Sequence, residues 1–87
     1  MPQSKYEPVM IQSFPTGIQR IFDFGNGYGA SLWSFAYNGT LLGTADIAVI
    51  TFKDDGSWDV VEDLIKPVTP DTVEKMLDEI AALPIKR

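Results

Sequence analysis

The stretch Asp23-Phe24-Gly25-Asn26-Gly27-Tyr28-Gly29-Ala30-Ser31-Leu32-Trp33 sets three alternate glycines between two apolar, aromatic-rich runs. Asn-Gly in such a setting is a strong hairpin signal, because both central residues of a type I′ turn need positive φ. The stretch is read as the turn of a β-hairpin on which the other strands assemble. On its N-terminal side, Ile18, Phe22 and Phe24 share one face and Gln19 and Asp23 the other, with Arg20 and Ile21 breaking the alternation. On its C-terminal side, Trp33, Phe35 and Tyr37 lie with Ser31, opposite Ala30, Leu32, Ser34 and Ala36.

Two further turns follow. Asn38-Gly39-Thr40 is one, continued by loop or bulge through Leu41-Leu42-Gly43-Thr44, and Asp54-Asp55-Gly56 is the other. Between them Ala45 to Phe52 is apolar on both faces, as in a central strand covered on both sides. Trp58 to Val61 is the returning strand. Upstream, residues 1–8 carry Pro2 and Pro8 among polar residues and are expected to be a flexible arm. Val9 to Phe14 is either an edge strand or a strap across the sheet, closed by a tight turn at Pro15-Thr16-Gly17.

The period changes near the C-terminus. Val73, Met76, Leu77, Ile80 and Leu83 form the stripe of an amphipathic helix. Thr69 is its N-cap, Pro70 its first residue, Asp71 and Glu74 complement its dipole, and Pro84 ends it. The expectation is one α+β domain over residues 1–87: a four- to five-stranded antiparallel meander sheet with one C-terminal helix packed on one face. One helix covers one face only. The second face must be strapped by the N-terminal segment or covered by another chain, since contiguous apolar patches are seldom left open.

Composition narrows the chemistry. The chain has no cysteine and no histidine. That removes disulfides, thiol nucleophiles, the commonest general base and the commonest transition-metal ligand. The formal net charge is −5, with Lys and Arg scattered singly until Lys86-Arg87, so the basic footprint of a nucleic-acid module is missing. No run approaches a membrane span and no apolar signal core follows Met1. A cytoplasmic protein or a component of an assembled particle is expected, with no cofactor, no nucleic acid and no membrane.

Several motifs have plainer explanations. Gly25 to Ala30 fits G-x-G-x-x-G/A, but a strand-like run follows where dinucleotide binding needs a helix. Gly27-Tyr28-Gly29 overlaps an RNA-recognition signature, but Asn26 and Ala30 stand where a base and an aromatic belong. Asp23-Phe24-Gly25 lacks the rest of a kinase, and Asp54-Asp55-Gly56 lacks the ligand spacing of a calcium loop. The acidic residues Asp54, Asp55, Asp59, Glu62 and Asp63 are read as a solvated face or as a surface for a basic partner. Trp33, Phe35 and Tyr37 are sheet core or an aromatic anchor, with Tyr37 the better contact residue.

At Phe24 to Leu32 the sequence resembles small, uncharacterised bacteriophage-encoded proteins with an F-x-N-G-Y-G-A-S-(V/L) hairpin. In those proteins an apolar A-V-I/L strand, a D-G turn and a short C-terminal helix follow, matched here by Ala48-Val49-Ile50, Asp55-Gly56 and Val73 to Leu83. The N-terminal segment through Gly17 is extra. The resemblance implies a phage source and assigns no activity.

Three functions follow as expectations. The first is a non-enzymatic phage protein that binds another protein, a host or defence factor, through Tyr28, Trp33, Tyr37 and the acidic residues. The second is a virion or assembly component whose N-terminal arm pairs with a neighbouring copy to form homo-oligomers. The third is a small-molecule-binding or enzymatic domain using Asp23 or Asp46 with Tyr28, which requires a pocket that joins them.

Overall fold

The computed structural model describes residues 6–85 and, of residues 62–65, the backbone only. Among the described residues there are five strands and one helix: β1 Met10–Phe14, β2 Gly17–Asp23, β3 Tyr28–Tyr37, β4 Thr40–Phe52, β5 Trp58–Val68 and α1 Pro70–Ala81. The sheet order is β1-β2-β3-β4-β5, each strand antiparallel to its neighbours. This is an α+β meander with a C-terminal helix. Val9–Phe14 therefore supplies an edge strand and does not strap the second face.

The turns explain this order. Asn38 and Gly39 both take positive φ, 50° and 78°, and are closed by the pair Tyr37↔Thr40, which makes them a two-residue type I′ turn. The other Asn-Gly departs from expectation. Residues 24–27 form a four-residue loop in which Gly25 and Gly27 take positive φ and Asn26 does not. The reason lies 54 residues away, where the Asn26 side chain is drawn inward to the end of α1. The third turn, residues 53–57, is closed by the Lys53 N–H on the Ser57 carbonyl at 2.8 Å, with Gly56 at φ 86°. Between Ser34 and Ala36 the β3–β4 register shifts, and the extra β4 residues around Gly43 bulge out.

Register places the core. Phe22↔Ala30↔Val49 and Leu32↔Ile47 are rows on one face, and Leu77 and Ile80 of α1 close over them with Val68. Each fully buried aliphatic side chain contributes roughly 1.5–3 kcal/mol. Thr69 caps α1: its N–H donates to Thr72 Oγ1 at 3.0 Å, Pro70 needs no donor partner, and Asp71 sits in the first turn. Leu83 packs on the core just beyond the helix end.

Residues 1–5 of the expected arm lie outside the described residues. Of residues 6–8, Tyr6 is anchored: it is half-buried, its ring meets Phe24 edge-on at 5.1 Å, and its hydroxyl donates to Asp78 Oδ1 at 2.7 Å. A phenol placed between a loop and a helix gains both apolar burial and a hydrogen bond, which outweighs the freedom expected of a Pro-flanked segment.

Candidate functional site

The face of the sheet opposite α1 is built from the alternate residues that the core rows leave over. Across it run Phe14↔Gly17↔Phe35, then Gln12↔Gln19↔Trp33↔Asp46, then Met10↔Ile21↔Ser31↔Ala48, and at the far end Phe52↔Trp58. Its aromatic rings gather at the two ends. Trp33 lies 5.4 Å from Phe14 and 6.4 Å from Phe35, centroid to centroid, while Phe52 and Trp58 are 6.5 Å apart.

Two glycines make room for those rings. A Cβ on Gly17 would come within 2.8 Å of the Trp33 ring, and one on Gly29 within 2.5 Å of Phe52. Neither glycine has positive φ, so their role is close approach. With the rings laid across the sheet, Ile21 and Ile50 are buried on this face without any help from the helix. The mismatch between one helix and two apolar faces is thus partly resolved by the sheet covering itself.

Most of what stays exposed is concentrated, with Val60 on β5 and Ile85 beyond α1 standing apart. Val9, Met10, Ile11 and Phe14 on and beside β1, and Tyr37, Leu41 and Leu42 at the β3–β4 tip, are large apolar side chains open to solvent. The Ala36 N–H donates to the Thr16 carbonyl at 2.9 Å, which holds the β1–β2 turn beside the base of that tip. Phe14, Trp33, Phe35, Tyr37, Leu41 and Leu42 therefore occupy one end of the sheet. Below the bulge at this end, a cavity of about 280 Å³ opens between Leu32, Leu41 and Ala45 on the sheet and Pro70 and Val73 on α1.

The acidic residues stand at the other end. Asp54 and Asp55 form the tip of the β4–β5 hairpin, fully exposed, and Asp59 follows on β5 with an ion pair to Lys53 at 3.3 Å. Asp55 accepts from both the hydroxyl and the N–H of Ser57, which hold its carboxyl below the ordinary range. Glu62 and Asp63 are in β5, among the residues whose side chains are not described. The two binding features expected from sequence, aromatic and acidic, are thus separated along a molecule whose long axis measures 41 Å.

Tyr28 joins neither group. It is on the helix side of the sheet, packed against the core, with Trp33 on the opposite side. The carboxylate site of the third expectation is not assembled either. Asp23 pairs opposite Gly29 and Asp46 opposite Trp33, both on the face away from Tyr28. The Asp23 carboxylate is instead turned to the Gly25 N–H at 2.9 Å. Among the described residues no group of three or more His, Cys, Asp or Glu side chains could hold a metal ion, and no helix is long and apolar enough to cross a membrane.

Phe14, Leu41 and Leu42 belong to the exposed apolar end and are not among the contact residues expected from the sequence. A signal for the first was present: from Val9 to Gln19 the chain carries no charged residue. No family model, no curated protein and no solved structure matches this chain.

Proposed function

We propose that this chain is a non-enzymatic protein-binding domain that engages its partner through the apolar end of the sheet. The observation that carries the reading is the clustering of Phe14, Tyr37, Leu41 and Leu42, all exposed, around the half-buried Trp33 and Phe35. Exposed apolar residues scattered singly need no explanation, but several gathered at one end of a sheet beside aromatic anchors have the makeup of an interface centre. The phage origin that the hairpin resemblance implies belongs to the same proposal, with a host or defence factor as the target. The exposed Asp54-Asp55 tip, at the opposite end, is a second surface for a basic partner, and its charge acts on encounter rate more than on affinity.

Affinity capture from lysate with variants of each end tests the reading. Phe14→Ser with Leu42→Ser abolishes capture of the specific partner, while Asp54→Asn with Asp55→Asn leaves it in place. The reverse pattern transfers the binding role to the acidic hairpin, and no specific capture by any form overturns the proposal.

A further inference from the structure

The two edges of the sheet are built differently. β5, at one edge, carries Asp59, Lys66 and Pro67 and a register irregularity opposite Ala48–Ile50. Charges, proline and bulges are the devices that stop an edge strand from pairing with another chain. β1, at the other edge, has none of them within Met10-Ile11-Gln12-Ser13-Phe14. All five residues are exposed, yet three are apolar and none is charged. β2 pairs with one side of β1, and among the described residues nothing pairs with the backbone groups of its outer side.

From these edges we infer that β1 pairs antiparallel with β1 of a second copy, joining two five-stranded sheets about a two-fold axis at Gln12. The strand is its own complement. With Gln12 opposite Gln12, Met10 of each copy faces Phe14 of the other and Ile11 faces Ser13. Such a contact is isologous and closes at two subunits. Met10 and Phe14 project on the same face, where the Phe14 ring already leans on Trp33 at a 38° tilt, so a thioether from the second copy meets an aromatic ring. Pro8 and Pro15 bracket the strand and limit the pairing to the residues between them.

Charge selects the second copy over other occupants. Two chains of net charge −5 repel each other wherever their acidic surfaces meet. The charge-free run from Val9 to Gln19 is where that repulsion is least, and the pairing leaves both Asp54-Asp55 hairpins at the outer edges, four strands from the axis. A basic partner would find nothing on β1 to recognise. The dimer seam and the apolar end of each sheet share Phe14, while Tyr37, Leu41 and Leu42 lie outside the seam.

Light scattering on the full chain as it elutes from size exclusion tests this. The expected mass is that of two chains, falling to one chain for Gln12→Lys, which sets two ammonium groups side by side at the axis. Because the natural chain has no cysteine, Gln12→Cys is a clean reporter. Directly opposed strand residues stand about 4.5–5.5 Å apart at Cα, within disulfide reach, so mild oxidation links the copies. Thr40→Cys, at the β3–β4 tip, stays unlinked. A monomer at every concentration overturns the inference. So does a dimer that ignores Gln12→Lys, and if that dimer dissociates with Tyr37→Ser and Leu42→Ser, both outside β1, the copies meet through the apolar end instead.

Discussion

The side-chain amide of Asn26 donates to the carbonyl of Ile80 at 3.2 Å, tying the β2–β3 loop to the C-terminus of α1. The same nitrogen lies 3.3 Å from the Ala81 carbonyl and 3.1 Å from that of Leu83, while Oδ1 accepts the Tyr28 N–H at 3.0 Å. The last carbonyls of a helix have no partner within the helix, and the last turn of α1 has no basic residue to serve them. One buried amide does that work and at the same time sets the loop conformation.

Asn26→Ala is therefore expected to destabilise the fold by about 1–3 kcal/mol, the cost of leaving buried polar groups unpaired. Asn26→Asp is worse near neutral pH, since an ionised carboxylate cannot donate to carbonyls. Its proton is held more tightly in the folded chain, so the folded pKa lies above the unfolded value of about 3.9. The stabilising contact is then complete below the unfolded pKa and is lost as pH rises through the folded one. Urea unfolding of both variants between pH 3 and pH 7, taken as a rough window around that carboxyl value, measures the two effects.

Gly29→Ala tests the seat of the Phe52 ring. The added methyl would collide with the Phe22 carbonyl oxygen as well as with the ring, and the carbonyl belongs to the paired backbone of β2 and cannot swing away. Overpacking of this kind costs about 1–3 kcal/mol. Gly29→Ala combined with Phe52→Leu frees the ring contact but leaves the backbone one. The double variant thus stays destabilised beyond Phe52→Leu alone, as a thermal melt of the three proteins checks.

The amphipathic stripe of α1 and the order of the strands were legible because both rest on local signals: a 3.6-residue period with a cap, and short turns bearing Gly, Asn or Asp. The faces were harder. Ile21 and Phe22 are consecutive and both buried, one beneath the rings of the open face and the other beneath the helix, so alternation alone cannot say which side α1 takes. Asn26 reads as a turn residue in sequence, and nothing near it signals a carbonyl 54 residues away. Of the expected contact residues, Trp33 and Tyr37 do share one end. Tyr28 is separated from them because five residues along a strand reverse the face.

Tyr6→Phe probes the anchor ahead of β1. The ring and its edge-on contact with Phe24 survive the change, and the hydrogen bond to Asp78 is lost. Bonds to a charged acceptor contribute about 1.5–3 kcal/mol when protected from solvent. The half-buried position of Tyr6 puts the expected loss near the lower bound, read as a fall in the urea midpoint at unchanged slope. A change in slope would instead report that the segment had come away from the helix.

The acidic hairpin gives a local pH signature. Asp55 accepts from the Ser57 hydroxyl and, at 2.9 Å, from the Ser57 N–H, and both bonds favour its ionised form. Its folded pKa lies below its unfolded value, so the turn is stabilised above the unfolded pKa and loses that contribution as pH falls through the folded one. Ser57→Ala removes the stronger of the two donors and leaves the N–H, so the Asp55 pKa is expected to rise part of the way to the ordinary carboxylate value. An NMR titration of the side-chain carboxyl carbon resolves this shift for Asp55 separately from Asp54. Because the group is fully solvated, global stability should barely respond, and the amide of Gly56 should exchange faster as the turn loosens.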